Sequence, residues 1–88
     1  MRMTKDDVLA FREGQRVHLL RSHKNATIAE RKEILDADGT QVVGVRLVFQ
    51  YAEGGPLDPH EFSFDSAQPW GTEVRPGWRG EAEEDGLP

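Results

Sequence analysis

The sequence predicts a mainly β domain, a small partial barrel with a short N-terminal helix. Three observations predict it. Val43, Val45, Leu47, Phe49 and Tyr51 alternate with Gly44, Arg46 and Gln50, the period of a half-buried strand. Asp36-Ala37-Asp38-Gly39 stands directly before that run as a turn signal. The chain has 88 residues, a length that holds one hydrophobic core and little else.

Element by element, Thr4 with Asp7 three positions on, ahead of Val8, Leu9 and Phe11, spells a capping box. It predicts a short helix over about residues 5–12, stopped by Gly14 and stable only if docked. Gln15 to Leu20 reads as a strand, with Val17 and Leu19 on one face and Arg16, His18 and Leu20 on the other. Arg21 to Asn25 is a polar connection.

Residues 26–36 support two readings. Thr27-Ile28-Ala29-Glu30 matches a capping box, and Ala29 to Leu35 is rich in helix formers; this is the α+β alternative, with a second helix at about 27–37. The turn before Val42 favours instead a long hairpin of 27–36 with 42–51. In that hairpin Glu30 and Lys32 share a face with Ile28 and Ile34, as in an edge strand protected by charge. Glu53 to Pro59 holds two glycines and two prolines and is expected to be a loop. His60 to Asp65 is a strand pointing Phe62 and Phe64 inward. Trp70, Val74 and Trp78 space out an extended segment, in which Trp70 closes the core and Trp78 lies in a groove. Residues 1–80 are therefore expected to form one domain of about four strands, and 81–88, with Glu81, Glu83, Glu84 and Asp85, an acidic flexible tail.

Phe11-Arg12-Glu13-Gly14-Gln15-Arg16-Val17-His18-Leu19 resembles the entry strand of small SH3-like barrels. Ile34 to Gly39 followed by Val43-Gly44-Val45 resembles a hairpin that recurs in them. The resemblance covers about residues 11–65. It implies a barrel and no particular chemistry, since neither motif contains a reactive group.

Charge is unevenly spread. The net charge is −5, yet residues 1–50 carry nine Lys/Arg against seven Asp/Glu, and residues 51–88 two against nine. With no cysteine there is neither a disulfide nor a thiolate metal site, in keeping with a reducing compartment. The N-terminal residues lack the apolar core of a signal peptide, and the apolar run Val42–Phe49 is far shorter than the about 20 residues that span a bilayer. A cytoplasmic protein without membrane contact is the expectation.

No cofactor, metal or catalytic residue is assigned. His18, His23 and His60 with Asp58, Glu61 or Asp65 lack the spacing that sets two ligands on one helix face. Ser22 beside His23 is not a nucleophile–base pair, because sequence neighbours do not face each other. Asp36/Asp38 and Asp58/Glu61 are carboxylate pairs, but acid–base work needs a carboxyl group with a raised pKa in a dry pocket. A turn and a Pro/Gly loop are wet places, so turn formation explains them better. The reading is a non-enzymatic interaction, accessory or regulatory domain that binds a protein partner or self-associates as a homodimer. Its candidate contact residues are Arg12, Arg16, Arg31, Trp70, Trp78 and Arg79, of types favoured at interfaces. The first alternative is a nucleic-acid-binding barrel using Arg16, Arg21, Lys24, Arg31 and Lys32. The second is a small enzyme or ligand binder with an aromatic pocket.

Overall fold

The computed structural model describes residues 3–64 and 73–79. The chain is mainly β: one helix, α1 (Lys5–Ala10), is followed by β1 (Arg16–Leu19), β2 (Lys24–Leu35), β3 (Val42–Tyr51), β4 (Asp58–Ser63) and β5 (Val74–Pro76). The five strands form a single antiparallel sheet in the order β4-β3-β2-β1-β5. Four strands follow one another as a meander, and the fifth returns to lie beside the first.

The predicted capping box forms. Thr4 Oγ1 accepts the Asp7 N–H at 3.2 Å, and Asp7 Oδ2 accepts the Thr4 N–H at 2.8 Å. So short a helix is held by docking: Val8 and Phe11 are buried against Val17, Leu19, Ala26, Ile28, Val45, Leu47, Phe49, Phe62 and Val74. Gly14 (φ 83°) turns the chain into β1, a left-handed conformation that glycine adopts without steric cost.

Residues 27–35 are strand, not helix, and pair with β3 across the turn at Asp36–Gln41. Two expectations for this hairpin need correcting. First, β2 is an edge only in part: Lys24–Thr27 lie between β1 and β3, while the half beyond the bulge has β3 alone as its ladder partner. Second, its face pattern changes midway. Ile28 pairs with Phe49 and Glu30 with Val48, so Ala29 is an extra residue, a β-bulge. Beyond it the parity of the strand reverses. Arg31 and Glu33 stand on the core face beside Leu47 and Val45, while Glu30, Lys32 and Ile34 face outward.

At the far side, β4 begins at Asp58 and so includes Pro59, which the sequence places in a loop. The Phe64 N–H donates to Val43 O at 2.8 Å, and continuing this alternation along the ladder points the nitrogen of Pro59 away from β3. A proline is tolerated there because no ladder donor is lost. β5 is the element that the sequence pattern does not announce. It pairs Val74 with Leu19, Arg75 with His18 and Pro76 with Val17, raising the expected four strands to five. Trp70 and the acidic stretch 81–88 lie outside the described residues.

Candidate interaction face

The outer face of β1 and β2 is where the C-terminal residues return. Val17 and Leu19 point into the core, so Arg16 and His18 point the other way, with Asn25 beside His18 across the ladder. The turn that follows β5 folds over this patch. The Trp78 indole Nε1–H donates to Ala26 O at 2.7 Å, and the Arg16 guanidinium lies 4.5 Å from the Trp78 ring centroid. Such a stack contributes about 0.5–1 kcal/mol at an exposed site. Asn25 then fastens the chain beyond the tryptophan: its Nδ2 donates to Arg79 O at 2.9 Å and its Oδ1 accepts the Arg79 N–H at 3.0 Å.

These contacts also fix which ring nitrogen of His18, a residue 6% exposed, faces an acceptor. Its Nδ1 lies 2.8 Å from Asn25 Oδ1. Because Asn25 Nδ2 serves the Arg79 carbonyl, Oδ1 is the acceptor for both neighbours, and neutral His18 carries its proton on Nδ1. Nε2 is then a bare acceptor, buried with no hydrogen-bond partner among the described residues.

Of the residues expected to form one contact surface, Arg16, Trp78 and Arg79 do come together. Arg12 and Arg31 do not join them. Arg12 Nη1 donates to Leu9 O at 2.8 Å, and Arg31 Nη2 donates to the same oxygen at 3.1 Å. Leu9 is in the last turn of α1, which carries no basic residue of its own, so both guanidiniums sit at the negative end of the helix dipole. Arg31 also pairs with Glu33 at 3.2 Å, and its N–H is accepted by Glu13 Oε2 at 3.1 Å. Arg12 closes the helix end locally, and Arg31 holds that end to the bulged half of β2.

The residues of the nucleic-acid alternative are likewise dispersed. Lys24 Nζ bonds Glu53 Oε1 at 2.8 Å and lies 4.9 Å from the Tyr51 ring centroid. Arg31 is held by the helix end, Lys32 stands across from Arg46 on the far half of the hairpin, and Arg21 is in the β1–β2 turn.

A second polar cluster closes the β3–β4 loop. Asp58 Oδ2 accepts from the Tyr51 hydroxyl and lies 2.9 Å from His60 Nε2. The hydrogen bond from Tyr51, followed by that from His60, holds the Asp58 carboxyl below its ordinary acidity value. Burial, followed by the hydrogen bond to Asp58, pushes the Tyr51 hydroxyl up to about 12. A phenol made harder to ionise is a poor nucleophile, so this cluster acts as a clasp between strand ends. Among the described residues, no three His, Asp or Glu side chains gather as metal ligands. Nor, among them, is any helix long and apolar enough to cross a membrane.

Asn25 is the residue of this face that the sequence does not announce. It reads there as part of a polar connection, and its partner lies 54 positions away. No protein-family model, curated protein or solved structure matches the chain.

Proposed function

We propose that this protein is a non-enzymatic interaction domain that presents Arg16, Trp78 and Arg79 to a protein partner. One observation carries the reading: Arg16 is stacked on a half-buried indole whose turn is latched to β2 by Asn25. The Arg16 and Trp78 side chains are pre-positioned, and the Arg79 backbone is fixed beside them, so little conformational entropy is lost when they are used. Tryptophan and arginine are also the residue types that most often dominate binding energy at an interface. The basic character of the patch in a chain of net charge −5 selects acidic partners and speeds encounter with them.

A meander whose fifth strand returns beside the first is compatible with the SH3-like reading of residues 11–65. The dispersal of Lys24, Arg31 and Lys32 favours a protein partner over a nucleic acid, which needs a continuous basic track. The test is affinity capture from the native source with wild type, R16E and W78A as baits, reading proteins by mass spectrometry and nucleic acids by sequencing. A protein captured by wild type and lost by both variants supports the reading. Capture that both variants leave unchanged, or recovery of nucleic acid alone, overturns it.

A further inference from the structure

Among the described residues no strand lies beyond β5, and the edge it presents there has a self-complementary pattern. In the ladder with β1, the Leu20 N–H donates to Glu73 O at 3.0 Å and the Gly77 N–H to Arg16 O at 2.7 Å. Antiparallel strands alternate the direction of their backbone groups, so the N–H and C=O of Val74 point away from β1, along the outer edge of the sheet. Glu73 and Arg75 flank Val74 with opposite charges. Beside the strand runs a groove of about 280 Å³, lined by apolar Met3, Ala10 and Phe11 with polar Asp7 and Gln15, and by residues 73–76.

We propose that β5 is a homodimer interface, in which it pairs antiparallel with β5 of a second copy about a two-fold axis at Val74. In that register the N–H and C=O of Val74 meet the C=O and N–H of the other copy's Val74. Glu73 of each copy stands across from Arg75 of the other, so the interface holds two opposite-charge pairs related by symmetry. Val74 of each copy stays buried in its own core, while the exposed Pro76 of the second copy, on the same face of the joined sheet, comes alongside the groove. The two sheets become one continuous sheet of double the width.

The remaining edges do not offer this match. On β4, a two-fold pairing centred on Glu61 would set two glutamates face to face. On the half of β2 beyond the bulge, the N–H of Arg31 is already taken by Glu13. One self-complementary edge closes a dimer, where two would build a fibre. This interface makes no use of Trp78 and stands apart from the partner-binding reading.

Sedimentation equilibrium of the full chain from micromolar to millimolar concentration tests the proposal. Wild type is expected to pass from monomer to dimer. E73R and R75E, each placing like charges together twice per dimer, are expected to weaken it by about tenfold. The double variant E73R/R75E restores both pairs in reverse and is expected to recover wild-type association, and W78A is expected to dimerise like wild type. Far-ultraviolet circular dichroism confirms that each variant is folded. A wild type that stays monomeric throughout overturns the proposal. So do single variants that dimerise as strongly as wild type, a double variant that is not rescued, or a dimer abolished by W78A.

Discussion

Asn25 and Arg79 are joined side chain to backbone by two hydrogen bonds, of 2.9 and 3.0 Å, as if the asparagine were a piece of an adjacent strand. The same Asn25 oxygen receives His18 Nδ1 at 2.8 Å. One amide thus ties three separate parts of the chain together, and Trp78 is held in place between two of them.

Asn25→Ala removes all three contacts and leaves the buried Nδ1–H of His18 unsatisfied. The expected loss is about 1–3 kcal/mol of stability, read as a lower denaturant midpoint. The Trp78 indole N–H, protected by its bond to Ala26 O, is expected to exchange faster with solvent in the variant. In the wild type, long-range proton–nitrogen spectra are expected to show neutral His18 with its hydrogen on Nδ1. A hydrogen on Nε2, or a variant with unchanged midpoint and exchange, contradicts this arrangement.

Tyr51 is the only tyrosine of the chain, so absorbance at the phenolate band follows it alone. In the folded protein its midpoint is expected at about 12, against the ordinary 10.0. Because the folded value is raised, the associated stabilisation is fully present below the unfolded midpoint and fades as pH climbs through the folded one. Asp58→Asn removes the neighbouring negative charge, and the midpoint is expected to move down toward 10.0. An unmoved midpoint would leave Asp58 without a part in it.

At the acid end the sign reverses. Asp58 is held below its ordinary 3.8, chiefly by the Tyr51 hydroxyl and then by His60. Its stabilisation is therefore present above that value and disappears as pH falls through the folded midpoint. Acid titration of Asp58 by carbon NMR should give a lower midpoint in wild type than in Tyr51→Phe. Equal midpoints in the two proteins would contradict the clasp.

At Gly44 the backbone of β4 lies against β3 with no room for a side chain. A Cβ built there would lie 2.8 Å from the Phe62 carbonyl oxygen, a backbone atom that moves only if the two strands part. Gly44→Ala is expected to destabilise the fold by about 1–3 kcal/mol, measured by denaturant titration. A fully neutral substitution would show that β4 shifts without cost.

What the sequence by itself determined is local. The Thr4–Asp7 capping box, the turn at Asp36–Gly39 and the alternation from Val43 to Tyr51 involve residues close in the chain. They mark where the helix starts and where β3 runs, while residues 26–36 read as strand or helix until β3 pairs with them. Tertiary structure decided the rest. Ala29 bulges because β2 must follow the core partway and then turn its charged half toward α1, where Arg31 meets Arg12 at the Leu9 carbonyl. Three residues at Val74–Pro76 are too few for any periodicity, so β5 exists only because β1 offers it an edge. Trp78 finds Arg16 and Asn25 for the same reason: groups more than fifty residues apart in the chain are brought together by closure of the sheet, and no local pattern encodes that meeting.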